Sequence, residues 1–354
     1  MSWSMDDFDY HLPEELIAQE PVARRGESRM LVLRRALQEA DGRTGGRADA
    51  LEDRSFGDIT SLIPPGDLLV VNTSRVRHAR LPGLRPSGGP AEVLLIHPAV
   101  RDGEWVAMGK PGSAMKPGKR ILLDDTCAVE TVDVLPDGNR VVRFVGCTPH
   151  EAIDRFGRLP LPPYIARDPT AADEERYQTV YAEREGSVAA PTAGLHFTDA
   201  ILARLESQGV RIARLDLQVG PGTFKPVEGD DPSAHVMHEE RYEIPEACAA
   251  AIHDVQARGG HVWAVGTTVV RALESAVQPD GRVRHGHAET QLFITPGFTF
   301  RVVDRLLTNF HLPRSTLLML VGAFAGHGLM MAAYRHAVAA RYRFYSYGDC
   351  MVIL

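Results

Sequence analysis

Cysteine is scarce. Four residues in 354, Cys127, Cys147, Cys248 and Cys350, stand far apart and none belongs to a C-x-x-C pair. That spacing argues against a zinc or iron–sulfur site and for a reducing cytoplasm. Long apolar runs are missing too. Even Leu317 to Phe324 is too short to cross a bilayer, so no membrane association is expected. The opening "MSWSMDDFDYHLPEE" has no basic segment followed by an apolar one, which excludes a signal peptide. Positive charge is not in excess: the formal charge is −7, which argues against general coating of nucleic acid but permits a local basic face. What remains is ordinary for a globular protein, 44% hydrophobic and 24% charged, and long enough for two domains with a large core.

The texture changes twice along the chain. "SRMLVLRR" (28–35) reads as a strand and "GDLLVVNTSRV" (66–76) as a turn feeding a buried one. Between them, 36–54 is polar, Gly-rich and reads as a mobile loop. From about Arg77 to Gly146, short β-rich runs such as "AEVLLIHP", "EWVAMG", "KRILL", "CAVETVDVL" and "RVVRFVG" alternate with Gly, Pro and Asp turns, and no helical pattern appears. This predicts a small antiparallel barrel or sandwich. After Pro149, strand-like "RIARLDLQV", "HVWAVG" and "QLFITPG" alternate with helical patterns at 245–258, 267–277, 315–325 and 329–340, which is α/β grammar. The expected architecture is an α/β main domain, 1–76 and 150–354, interrupted by an inserted antiparallel β-barrel domain over 77–149.

Several strand ends carry more chemistry than a turn requires. "SVAAPTAGLHFT" packs Pro191, Thr192, Gly194, His196 and Phe197 between small residues that read as a buried strand and a helix capped by Thr198. "LQVGPGTFKPV" ends in Gly222, Thr223 and Lys225. "VWAVGTTVVRALES" runs through Thr267 and Thr268 into a helix bearing Arg271 and Glu274. "LLTNFHLPRST" places Asn309 and His311 before a helix start. In α/β sheets ligands lie beyond the carboxyl ends of strands, where loops and helix N-termini expose N–H groups. Turn and cap chemistry explains any one of these; four together point to a ligand site.

These stretches, with "HVMHEERYEIP", "LLTNFHLPRSTLLMLVGAFAG", "YRFYSYGDCMVIL", "VVNTSRVRHARL" and "GKPGSAMKPGKRI", resemble the S-adenosylmethionine:tRNA ribosyltransferase-isomerases of the queuosine pathway. The likeness runs in order over nearly the whole chain. It implies transfer and isomerisation of the ribosyl part of S-adenosylmethionine onto 7-aminomethyl-7-deazaguanine in a tRNA anticodon, giving epoxyqueuosine-tRNA, adenine and methionine. It further implies a cytoplasmic enzyme with no prosthetic group, S-adenosylmethionine being consumed as substrate, and an α/β domain with an inserted barrel. The chain is taken as a monomer. Ser74, His78, Gly322 and Glu239 depart from the usual wording.

Such a reaction requires a base beside the sulfonium, an acid for the departing adenine and groups that hold an oxyanion. His196, His238 and Glu240 are the expected catalytic residues. Structural hydrogen bonding is the competing account of each, and a metal role for the His235/His238 pair is disfavoured because no HExxH or cysteine accompanies it. Arg271 is expected to meet the methionine carboxylate, with a helical pair to Glu274 as the alternative. Asn72, Arg75, Thr192, Gly194, Gly222, Thr223, Thr267, Thr268, Asn309, His311 and Tyr347 complete the expected substrate-binding set. Arg77, Arg80, Lys110, Lys116, Lys119 and Arg120 are expected to contact tRNA, against the reading that each run is a solvated face. Two other classes compete. An S-adenosylmethionine methyltransferase lacks its acidic, Gly-rich loop after a first strand here. A non-catalytic RNA-binding module has no need of the polar strand ends.

Overall fold

The computed structural model of the protein describes residues 3–35, 50–220, 229–232, 235 and 237–354. Gly222, Thr223 and most of the expected loop 36–54 lie outside the described residues.

Leu68–Asn72 is a run of four apolar residues closed by one polar residue, buried throughout. A strand with no polar face must be covered on both sides. Leu68 and Val70 enter the core on one face while Leu69 and Val71 enter the core on the other. Val262–Val265 repeats this, with Val262 and Ala264 on the first face and Trp263 and Val265 on the second. These strands lie at the centre of a mixed nine-stranded sheet. Its order is Gly286–Thr290, Glu240–Ile244, Arg211–Leu217, Leu68–Asn72, Val262–Val265, Arg305–Asn309, Cys350–Ile353, Arg29–Leu33 and Leu51–Ser55. The strands from Arg211–Leu217 to Arg305–Asn309 are parallel, and antiparallel strands flank them on both sides. Helices Glu246–Ala257, Thr267–Ser275, Thr316–Ala325 and His327–Ala339 cover the first face. Helix Asp199–Ser207 covers the second, its start fixed by Thr198 Oγ1, which accepts from the Ile201 N–H at 3.2 Å.

Four expectations need correction. "QLFITPG" is not a strand: pairing ends at Thr290, and the expected strand lies one segment too late. Within the expected loop 36–54, Leu51–Ser55 is an edge strand, antiparallel to Arg29–Leu33. The strand expected to include Val188–Ala190 stops at Ser187; the three residues after it are buried outside any strand, with the Val188 N–H donating to the Val219 carbonyl at 2.9 Å. Cys127 and Cys147 are not apart in space. They flank the Ala128↔Val145 end of a hairpin with 5.4 Å between Cα atoms, and a disulfide joins them.

Between Arg80 and Val145 six strands form an antiparallel sheet in which each hydrogen-bonds two others, the ring being completed by the single pair Leu84↔Leu122. Leu81, Val93, Leu95, Ala107, Val129 and Val142 give it a core of its own. Among the described residues no single helix is long and apolar enough to cross a membrane.

Candidate functional site

The carboxyl ends of the parallel strands converge on one cavity enclosing about 690 Å³ of atom-free space, mouth included. Three of the chemically rich turns meet there: Thr192 from the first, Thr267 and Thr268 from the second, Asn309 and His311 from the third. Two glycines make that convergence possible, for different reasons. Gly266 joins Val265 to the helix at φ +91°, a conformation that other residues rarely adopt. Gly194, in the 3₁₀ turn Thr192–His196, has an ordinary φ but no room: a Cβ there would lie 2.3 Å from Tyr181 Oη. Phe197 anchors the turn, fully buried against Phe56.

His196 stands behind the cavity, not in it. The Asn309 side-chain N–H donates to the Tyr345 and Ser346 carbonyls at 2.8 and 3.4 Å, so its oxygen faces His196. His196 Nε2–H therefore donates to that oxygen at 3.2 Å, and Nδ1 accepts from the Ser28 hydroxyl at 2.9 Å. Burial lowers its pKa to about 4, outweighing the Asn309 contact, and the ring is neutral at pH 7. Both nitrogens are in use. His311 lines the cavity directly. Its Nε2 is hydrogen-bonded to Thr308 Oγ1 at 2.8 Å, its Nδ1 has no partner among the described residues, and burial lowers its pKa to about 3.

His238 and Glu240 line a second cavity between the main sheet and the six-stranded sheet, whose wall includes His97, Asp137 and Asn139. The expected catalytic trio is thus divided between two places. Val219 belongs to the walls of both cavities. Glu240 is almost wholly buried. One of its carboxylate oxygens accepts from Arg271 Nη1, the other from the Gly220 N–H at 3.3 Å. Arg271 Nε–H donates to the Leu292 carbonyl at 3.0 Å, while Nη2 is buried and has no partner among the described residues. The alternative pairing of Arg271 with Glu274 is overturned, because Glu274 accepts from the N–H groups of Arg301, Val302 and Val303. His238 is half-buried and has no hydrogen-bond partner among the described residues.

Other expected residues are used structurally. Asn72 fixes the end of its strand: its oxygen accepts from Leu217 and Ser74 N–H, and its nitrogen donates to the Leu217 carbonyl at 3.0 Å. Tyr347 does not reach the cavity. Its hydroxyl donates at 2.7 Å to Asp173, a buried carboxylate also held by both Arg167 η-nitrogens. Tyr345, at φ +70°, lines the cavity instead. Arg75 is exposed on the short strand Ser74–Val76.

Of the expected RNA contacts, Arg77 lies 4.9 Å over the Trp105 ring, Arg80 pairs with Glu92 at 2.6 Å, and Arg120 pairs with Glu130 at 2.7 Å. Lys110, Lys116 and Lys119 are exposed and, among the described residues, have no ion pair.

A family model described as "Queuosine biosynthesis protein" matches residues 5–353. Curated relatives are similar over their full length. One from Symbiobacterium thermophilum is 50% identical over 353 residues, 99% of each chain. One from Anaeromyxobacter sp. is 51% identical over 354 residues, 99% of this chain and 98% of its own. Both are named S-adenosylmethionine:tRNA ribosyltransferase-isomerase. Among solved structures, an S-adenosylmethionine tRNA ribosyltransferase from Thermotoga maritima is similar at 36% identity and TM-score 0.54, covering 98% of this chain and 100% of that one.

Proposed function

The chain belongs to the queuosine biosynthesis protein family, and from that premise we propose how its two cavities divide the work. The protein is an S-adenosylmethionine:tRNA ribosyltransferase-isomerase. In our reading the acceptor is 7-aminomethyl-7-deazaguanine in a tRNA anticodon, and the products are epoxyqueuosine-tRNA, adenine and methionine. The main domain, 1–76 and 150–354, carries the chemistry. The insert, 77–149, is a barrel that faces RNA with Lys110, Lys116 and Lys119. The protein works as a cytoplasmic monomer without a prosthetic group.

The observation that carries this reading is the convergence of Thr192, Thr267, Thr268, Asn309 and His311 on one cavity at the strand ends. S-adenosylmethionine occupies that cavity, and the acceptor base enters by the second, across Val219. His311 Nδ1, neutral and without a partner among the described residues, is available to hydrogen-bond substrate in the first cavity, and His238 serves proton transfer in the second. His196 acts through Asn309, and Glu240 through Arg271, as positioning residues. Arg271 lines neither cavity wall, and we take its buried Nη2, which has no partner among the described residues, as the donor that reaches the methionine carboxylate.

Product analysis tests the reading. Purified protein with S-adenosylmethionine and tRNA carrying the aminomethylated base is expected to release adenine and methionine in equal amounts. Appearance of S-adenosylhomocysteine would instead make it a methyltransferase.

A further inference from the structure

The antiparallel edge of the main sheet bears a third cleft, enclosing about 880 Å³ of atom-free space, mouth included, beside the second cavity. Along Arg211–Leu217, Leu215 and Leu217 enter the core, so Asp216 faces the opposite side. It pairs in register with Glu243, which sets two carboxylates side by side on that face. The cations present are matched: Arg184 pairs with Glu243, and Arg241 with Glu289 at 3.2 Å. His287 lies 3.7 Å from Glu243. Among the described residues Asp216 makes no salt bridge and its Oδ1 has no hydrogen-bond partner, and the residue is only 8% exposed. Glu185, exposed at the same cleft, makes no ion pair among the described residues. Arg77, which feels the field of Glu185, is stacked on Trp105.

Among the described residues two carboxylates therefore remain without a matching cation, one of them buried without a donor. An unsatisfied buried carboxylate is unfavourable, and burial accordingly raises the Asp216 pKa, with Arg184 and His287 acting the other way from a distance. A ligand with one positive charge and several N–H donors would relieve both deficits. A metal ion is a poorer match, because the described residues hold no group of three or more His, Cys, Asp or Glu placed to ligate one. A primary ammonium offers three donors, and Asp216, Glu185 and Gln218, which all line the cleft, each carry acceptor oxygen.

We propose that Asp216, Glu185 and Gln218 form a binding site for a primary alkylammonium group. Gln218 and Arg241 also line the second cavity, so the site opens towards His238. Two sources share this chemistry. One is the aminomethyl group of the acceptor base, an assignment that rests on the proposed reaction; the other is a free polyamine.

Calorimetric titration with spermidine and with methylammonium, at fixed ionic strength, tests the site. Asp216→Asn should weaken both by on the order of tenfold or more, since a charge-assisted contact is lost. Tetramethylammonium, which has no N–H, should not bind. Equal affinity in wild type and Asp216→Asn, or equal binding of tetramethylammonium, overturns the proposal. Should Asp216→Asn fail a thermal-melt check, Glu185→Gln replaces it, and unchanged amine affinity there overturns the proposal equally. Competition identifies the source. Displacement of spermidine by aminomethylated tRNA but not by the same tRNA with guanine supports the base and excludes a free amine; displacement by neither does the reverse. Adenine release separates the two ideas: release by a protein whose amine affinity ignores Asp216 removes this site and leaves the enzyme reading intact.

Discussion

Arg271 is held by two of its three nitrogens, and its burial changes what a substitution there does. Because the guanidinium and Glu240 are only 5% exposed each, removing one partner leaves the other as an uncompensated buried charge. Arg271→Ala should therefore destabilise the fold by about 3–5 kcal/mol. Arg271→Lys keeps the charge but loses the Leu292 contact and the free Nη2. It should fold, melt somewhat lower, and bind S-adenosylmethionine on the order of tenfold more weakly. Calorimetry beside a thermal melt checks both, and unchanged affinity in a folded Lys variant would remove Arg271 from the site. A second consequence at this scale concerns pH. His196 has a folded pKa of about 4, against roughly 6.5 when unfolded. Between those values the unfolded chain binds more protons, so stability rises with pH and is lost on acidification through the window. The His196 contribution should make the protein about 2 kcal/mol less stable at pH 5 than at pH 7. Urea unfolding of wild type and His196→Gln at both values tests this: a pH difference as large in the variant would assign it to other groups.

Elements show where reading from sequence succeeds and why it fails. Strands whose burial comes from their own apolar residues, such as Leu68–Asn72 and Val262–Val265, are legible, as are the helices that follow a glycine or a capping hydroxyl. Leu51–Ser55 is mostly polar and pairs on one side only, so nothing in its residues announces a strand; the partner Arg29–Leu33 makes it one. "QLFITPG" errs in the opposite direction. Leu292 and Ile294 alternate like a strand, but Leu292 presents its carbonyl to Arg271 rather than to a neighbouring strand. Helices Pro149–Phe156 and Ala171–Arg176 were within reach, since Thr148 with Glu151 and Thr170 with Asp173 are capping boxes. The turn Thr192–His196 supplies the prediction at this scale. Gly194→Ala drives a methyl into Tyr181 Oη and should cost about 1–3 kcal/mol, as overpacking does. Adding Tyr181→Phe removes the hydroxyl, which has no hydrogen-bond partner among the described residues, and should restore part of the loss. Additive effects in the double variant, measured by denaturation, would show that the clash relaxes elsewhere.

At the scale of the whole molecule, the identity of the chemical groups was legible and their partners were not. The turns bearing Thr267, Thr268, Asn309 and His311 could be named from their residues because each ends a strand of one parallel sheet, and such ends converge; the Thr192 turn instead follows the two-stranded sheet of Ser74–Val76 and Arg184–Ser187. The division of His196 from His238 and Glu240 could not be read, because it depends on sheet order: Glu240 begins the strand outside Arg211–Leu217, while His196 is bonded to Asn309 at the end of Arg305–Asn309. The same holds for the basic residues. Arg80 and Arg120 look like Lys116 and Lys119 in a list of charges, yet Glu92 and Glu130 already neutralise them across the strands. This separates two classes of cation in one sheet and makes their roles in RNA binding measurable. Lys110, Lys116 and Lys119, all exposed around the turn Gly112–Ala114, are free to displace counterions from phosphates. Each phosphate contact contributes about 0.7–0.9 to the slope of log affinity against log salt. Replacing all three lysines with Ala should therefore lower the slope for tRNA by about 2–3, weaken binding at low salt, and leave binding of S-adenosylmethionine unchanged. Arg120→Ala should move the slope far less, because its charge is shared with Glu130, which Arg143 also holds at 2.5 Å. Titrations of labelled tRNA across a salt series distinguish the two sets. A slope unchanged in the triple variant would place the RNA on another face, and an Arg120→Ala effect as large per residue as the lysines' would mean that its pair with Glu130 opens on binding.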